Sequence, residues 1–264
     1  MSYGSDVIFK YDGSFEGLMC CIFKCYAEKL IPSDIISESS DQLVLGNITE
    51  IITEPEKAAR VENGIREKIG NDILIFLRKS FLSCEPDKDI LILRFAVLGF
   101  KYGKKIKNML TDSTVNRLMK AERFAAQEAH LMLGFVRFSE HSGVLVSVIE
   151  PKNSVIPLIA EHFCDRFRSE RFIIFDKNHH LALFHEPCRA EIMEIDSFEP
   201  SAPDDSELKF RSLWKTFFDT IGIKERYNPR CQNNLLPLRY RGTMTEFSDD
   251  PAADHKRNVL IEKF

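Results

Sequence analysis

The 264-residue chain is poor in the residues that usually announce a mechanism or a compartment. It has one tryptophan, six tyrosines and twelve glycines, with phenylalanine supplying the other 21 aromatics. No apolar run approaches the roughly 18 residues needed to cross a bilayer. The opening stretch, MSYGSDVIFKYDG, lacks the basic segment and long apolar core of an export signal. A cationic excess is also missing: 36 Lys and Arg stand against 40 Asp and Glu, a formal charge of −4. That excludes a uniformly basic, histone-like nucleic-acid binder but leaves room for a local basic face. The seven cysteines (Cys20, Cys21, Cys25, Cys84, Cys164, Cys188 and Cys231) form an odd, irregular set. A disulfide framework in a small secreted chain would show an even one. These absences predict a reduced, cytoplasmic protein with no membrane partner.

Catalytic signatures are absent as well. There is no Gly-x-x-x-x-Gly-Lys-Ser/Thr phosphate loop, and Gly99-Phe-Lys-Tyr-Gly103-Lys-Lys has the wrong spacing. Gly-x-Gly-x-x-Gly, His-Glu-x-x-His, Gly-x-Ser-x-Gly and Cys-x-x-Cys do not occur. Cys21 and Cys25 begin a radical-SAM spacing, but its third position is Glu28. The three cysteines therefore read as buried helix-face residues rather than cluster ligands. His179, His180, His185 and Cys188 crowd into ten residues, but the odd separation of His180 and His185 sends them to opposite faces of a regular strand. Neither a metal nor any other cofactor is expected.

What is present is a globular composition, 44% hydrophobic and 29% charged, able to bury a core as one large domain or two modest ones. Val7–Tyr11 reads as a short strand. Asp12-Gly13-Ser14 then turns into a helix that carries Phe15, Leu18, Met19, Ile22, Phe23 and Tyr26 on one side and ends at Pro32. Residues 44–53 read as a small hairpin broken at Gly46-Asn47. Residues 55–133 read as almost wholly helical, starting from Pro55 in a first turn and ending with a long helix over 111–133. From Gly134 the period changes. Strands over 135–138 and 144–148 form a hairpin, a helix falls within 151–168, and strands follow over 171–175, 181–185 and 190–195. Glu191–Glu207 contains seven acids and no base, a solvated linker. An amphipathic helix over 208–221 precedes an irregular end. The expected fold class is α+β: a helical N-terminal half, 1–133, and a ββαβββα C-terminal half, 134–247, with an antiparallel sheet and flanking helices. Residues 248–264 form a tail, and the whole could be one integrated domain.

Two constellations carry potential chemistry. Glu128, His130 and Arg137 gather at a helix-to-strand junction. A carboxylate neighbour would tune an imidazole for general acid/base work, and a polar clasp would use the same residues. The segment 209–241 is locally basic: Lys209, Arg211, Lys215, Lys224, Arg226, Arg230, Arg239 and Arg241 against Asp219 and Glu225, 8 − 2 = +6. Trp214, Phe217, Phe218, Tyr227 and Tyr240 interleave with these charges. Such a pattern can neutralise phosphates and stack on bases, or it can simply be a helix with core aromatics and solvated charges.

Three segments together carry a resemblance: Tyr11-Asp12-Gly13-Ser14-Phe15-Glu16-Gly17, Glu128-Ala-His130 through Gly134-Phe-Val-Arg137-Phe138, and Glu225-Arg226-Tyr-Asn228-Pro229-Arg230-Cys231-Gln232 through Pro237-Leu-Arg239-Tyr240. Pro157-Leu-Ile-Ala-Glu161-His162-Phe163 and Trp214-Lys215 fit between them. Over about residues 7–247 the chain resembles a bacterial family of DNA metabolism or repair proteins built around a domain of unknown function. The resemblance implies pairing with a radical-SAM protein, and in some relatives fusion to a uracil-DNA glycosylase domain. It transfers no catalytic roles.

The motif positions are therefore candidates only. Glu128, His130, Arg137 and His162 are candidate catalytic groups. Arg211, Trp214, Lys215, Arg226, Asn228, Arg230, Arg239 and Tyr240 are a candidate nucleic-acid surface. Asp12 and Glu16 are motif residues with a turn-and-cap explanation. The leading expectation is a DNA-binding or accessory partner of a radical-SAM repair enzyme. Two alternatives stand beside it: an enzyme acting on nucleic acid or nucleotides with His130 as general acid/base, and an interaction scaffold without DNA affinity.

Overall fold

A computed structural model describes residues 2–3, 6–38, 46–200 and 202–247, with Ser2, Tyr3 and Lys224 described in their backbone only. The chain packs as two compact units that divide between Ala126 and Gln127. The expected tail, 248–264, lies outside the described residues.

In the first unit β1 (Ser2–Tyr3) pairs in parallel with β3 (Leu30–Ile31), and β2 (Val7–Tyr11) is central to a second small sheet. Helix α1 (Phe15–Glu28) crosses from β2 to β4 (Asp34–Ser37), which lies parallel to β2. Strand β5 (Asn47–Glu50) pairs with β2 on its other side, also in parallel. The expected hairpin over 44–53 is therefore corrected: Asn47–Glu50 bonds to β2, not to its own neighbour. Val44 lies outside the described residues. Local β-propensity located this strand, but its partner was set by β2, whose Ile8, Phe9 and Tyr11 are buried.

Helices α2 (Pro55–Lys68), α3 (Asn71–Phe81) and α4 (Lys88–Tyr102) follow, and then a 3-10 helix over Gly103–Asn108. The sequence ILILRFAVLGF makes α4 apolar nearly all round, which suits a central helix. Its Ile92, Leu93, Phe95 and Ala96 have no solvent exposure. They pack with Phe9, Leu18, Ile22, Ile65 and Leu77 in one cluster. Each of the larger side chains here, Ile, Leu or Phe, contributes about 1.5–3 kcal/mol by leaving water.

Helix α5 (Ser113–Phe135) runs through the unit boundary. Its Val115 and Leu118 belong to the first core, and its Ala129 and Met132 to the second. It continues through Gly134, so the strand expected over 135–138 is corrected: Phe135 ends the helix and residues 136–138 have no regular secondary structure.

In the second unit β6 (Ser139–His141) turns into β7 (Val144–Ile149) through Ser142 and Gly143, both at positive φ, 52° and 80°. That is the twist a two-residue hairpin needs. Helix α6 (Ile156–Arg166) then leads to β8 (Phe172–Asp176), β9 (Leu181–Glu186) and β10 (Arg189–Glu194). The sheet order is β10-β9-β8-β7-β6. It is mixed, and this corrects the expectation of an antiparallel sheet: β7 and β8 are parallel because α6 crosses between them, while the other pairs are antiparallel. The mixed α+β class and the helices flanking the sheet stand. The C-terminal segment is not irregular, since α7 (Asp205–Ile221) is followed by the short helices α8 (Pro229–Leu235) and α9 (Leu238–Arg241).

Candidate functional site

Glu128 sits on the second half of α5, only 2% exposed, and its carboxylate is saturated. Oε1 accepts from the Lys152 backbone N–H at 3.0 Å and from the Tyr240 hydroxyl at 2.5 Å. Oε2 accepts from the Asn153 backbone at 2.7 Å and its side-chain amide at 2.5 Å. The Arg239 guanidinium lies 3.4 Å away, also bonds the Tyr240 hydroxyl, and rests over the Tyr240 ring at 4.5 Å. Burial works to raise the Glu128 pKa. The Tyr240 hydroxyl and the Lys152 and Asn153 donors outweigh it and hold the group below the ordinary glutamate range. Burial, and then the hydrogen bond to Glu128, push the Tyr240 phenol upward.

A second carboxylate, Glu246, is 7% exposed and ties together two candidate residues. The Arg137 guanidinium grips it through Nε at 3.2 and 3.3 Å and through a terminal nitrogen at 2.8 Å. Arg137 also donates to the carbonyls of Gly134 and Val136, capping the end of α5. The Trp214 indole N–H bonds the same carboxylate at 3.2 Å. Burial opposes ionisation of Glu246, but the Arg137 contact prevails and lowers its pKa.

Glu207, a third buried acid, accepts from Arg211 at 2.8 Å and from the Glu140 backbone at 3.2 Å. Arg211 reaches on to Ser139 at 2.6 Å. Sequence reasoning passed over Glu246 and Asn153, because a residue carries no sign of a partner distant along the chain, and over Glu207, because its i,i+4 pairing with Arg211 reads as surface charge until the Glu140 backbone closes over it.

These contacts turn α7 inside out. Its charged Glu207, Arg211 and Lys215 lie on the sheltered side, while Phe210, Leu213 and Phe217 are 63%, 65% and 51% exposed. Trp214 is held at its edge, yet its ring remains 40% exposed and stacks with Phe217 at 5.7 Å. An open groove of about 710 Å³ runs along this face, with Arg137 and Arg211 on its wall. Arg226, Asn228 and Arg230 lie beyond the end of α7, all exposed. There the Asn228 side chain caps α8 by accepting from the Cys231 N–H at 3.0 Å. Arg226 borders a second open cleft of about 980 Å³ with Ile221, Ile223, Tyr227 and Leu235.

The structure thus joins Glu128 with Arg239 and Tyr240, and Arg137 with Trp214, across the expected division into catalytic and nucleic-acid residues. His130 is exposed on α5, away from the saturated carboxylate. His162 is exposed on α6, in edge contact with Phe163. Three further histidines go separate ways. His179 pairs with the buried Asp176 at 2.7 Å, His180 bonds the Asp196 carbonyl, and His185 bonds the Glu170 carbonyl. Among the described residues no group of three or more His, Cys, Asp or Glu side chains is placed to hold a metal ion.

In the first unit Asp12 accepts from the backbone and hydroxyl of Ser14 and from Thr53, at 2.7 to 2.9 Å. Ser14 in turn caps α1 through the Gly17 N–H. The slight burial of Asp12 opposes its ionisation, and these donors lower its pKa nonetheless. Glu16 occupies the first turn of α1, where an acid complements the helix dipole.

A family model for a domain of unknown function, DUF4130, matches residues 86–246. The chain belongs to this family. The DUF4130 segment includes all three buried glutamates and the whole of α7, and it leaves the Asp12 loop outside. No curated protein and no solved structure matches the chain. Among the described residues no helix is long and apolar enough to cross a membrane.

Proposed function

We propose that this chain is an accessory protein of DNA metabolism that works as a subunit. The outward face of α7 docks a protein partner, the radical-SAM protein that the family resemblance pairs with it, and Arg226 and Arg230 at the end of that face meet DNA. One observation carries the reading: α7 turns its apolar side chains outward. Contiguous exposed patches of that kind are interaction surfaces, with aromatic anchors surrounded by smaller contacts. The pairing of Arg137 with Glu246 and of Arg211 with Glu207 leaves the groove wall close to neutral, which favours an apolar occupant over a phosphate.

Calorimetry of the purified pair is the test. Wild-type chain should bind the radical-SAM protein, and Leu213→Asp with Phe217→Ser should weaken binding at least tenfold. Unchanged affinity in that variant would remove α7 as the docking face.

A second reading places bases directly on the Trp214–Phe217 stack, as single-strand binders do. The Arg137 guanidinium, 6.0 Å from the indole ring, favours it. Trp214 is the only tryptophan, so quenching of its emission by oligo-dT would support base stacking. A blue shift on adding the protein partner would support docking.

A further inference from the structure

The first unit carries a concentration of cations that the function proposed above does not use. Residues 101–107, KYGKKIK, hold Lys101, Lys104, Lys105 and Lys107, and no acid follows before Asp112. The fold brings this segment to the junction of α2 and α3, where the last turn of α2 adds Arg66 and Lys68. Gly103 approaches the Lys68 carbonyl, and the aliphatic stem of Lys104 passes over Gly70. Lys107 bonds Asp72 at 3.0 Å, and Arg66 bonds Asn71 at 3.3 Å. The segments that meet here thus carry six cations, with Glu67 and Asp72 as the acids among them, a local +4 in a chain of net −4.

Helix-end electrostatics explain part of the set. Arg66, Lys68 and Lys101 occupy last turns, where a cation is favourable. Lys104 and Lys105 lie past the helix ends, exposed, in a 3-10 helix with no dipole of comparable length. The exposed ring of Tyr102 lies beside them with the Lys101 ammonium 5.0 Å from its centre, so an aromatic face accompanies the charge.

We infer that the α2–α3 junction and the 3-10 helix over Gly103–Asn108 form a second, independent contact surface whose ligand is the phosphate backbone of nucleic acid. This rests on the reading that the chain works in DNA metabolism, but not on the role of α7. Lys101, Lys104 and Lys105 would each neutralise a phosphate, with Tyr102 against a sugar or an unstacked base. Binding of this kind is independent of sequence and steeply dependent on salt, with a slope of roughly 0.9 per neutralised phosphate on duplex DNA.

The test is anisotropy of the full chain with labelled duplex and single-stranded DNA over a salt series. It compares wild type, the triple variant Lys101→Gln/Lys104→Gln/Lys105→Gln, the triple Lys→Arg variant and the α7 variant Leu213→Asp/Phe217→Ser. Wild type and the arginine variant should bind alike. The glutamine variant should lose at least tenfold in affinity, with a salt slope shallower by about 2 to 3, and should keep the wild-type melting temperature. Wild-type binding by the glutamine variant would overturn the assignment and leave the α7 reading untouched. Loss of partner binding in the α7 variant, with DNA binding intact, would support both. Equal affinity for poly-glutamate and DNA would also overturn it, since the surface would then be one for acidic protein.

Discussion

The Glu128 knot and the outer face of α7 use the same kinds of residue to opposite ends. Both contain arginine beside a large aromatic ring. At the knot, Arg239 and Tyr240 close over a buried carboxylate that already takes two backbone N–H groups and an amide. On α7, Trp214 gives up only its N–H edge and leaves its ring open beside Phe217. The regions do not differ in their anions, since Glu246 and Glu207 are buried as Glu128 is, but in how much of the neighbouring aromatic surface is covered, Tyr240 at 3% exposure against Trp214 at 40%. A glutamate buried beneath the cation consumes it, and the pair becomes part of the scaffold. Among the described residues, the apolar groups on the other side of the helix are left exposed.

That contrast can be broken most forcefully at the knot. Glu128→Ala would strand the Asn153 amide, two N–H groups and the Tyr240 hydroxyl in a dry site. It should cost about 3–5 kcal/mol in equilibrium denaturation, and a loss below 1 kcal/mol would show the knot to be incidental.

Gly17→Ala tests the equivalent clasp in the first unit. A Cβ there would fall 2.3 Å from an Asp12 carboxylate oxygen and 2.8 Å from the Thr53 hydroxyl. Destabilisation of about 1–3 kcal/mol is expected, and a neutral result would mean the clasp yields freely.

Acid titration sharpens the comparison further. Glu128 and Glu246 are held below their ordinary range in the folded state. Their contribution is therefore complete above about pH 4.3, the unfolded value, and is lost as pH falls through the folded values. Urea midpoints should be flat near neutrality and fall below about pH 4, with a shallower fall in Glu128→Gln and Glu246→Gln. Equal slopes in all three proteins would refute the assignment.

The smallest effect belongs to α7. Leu213→Asp should change stability by less than about 0.5 kcal/mol, as exposed substitutions do, while partner affinity collapses. A large thermal shift would mean that Leu213 is covered after all.

Much of the architecture is legible along the chain. Pro55 does open α2, and Ser14 does cap α1. Strand pairing is less legible. The parallel alignment of β5 on β2, and of β7 on β8, depends on crossovers that no local pattern records. The candidate residues divide the same way. Clustered motifs drew notice to Glu128, Arg137, Trp214, Arg239 and Tyr240, but their grouping around Glu128 and Glu246 joins positions more than a hundred residues apart for Tyr240 and Arg137.

By itself the sequence determined the helices, the alternating strands, the caps and the local excess of cations, because propensity, periodicity and charge act over a few residues. Tertiary structure alone decided which cations are consumed and which face of α7 looks outward. Arg137 and Arg239 are consumed by carboxylates more than a hundred residues away along the chain, and even the local Glu207–Arg211 pair faces inward because Glu207 also takes the backbone N–H of Glu140.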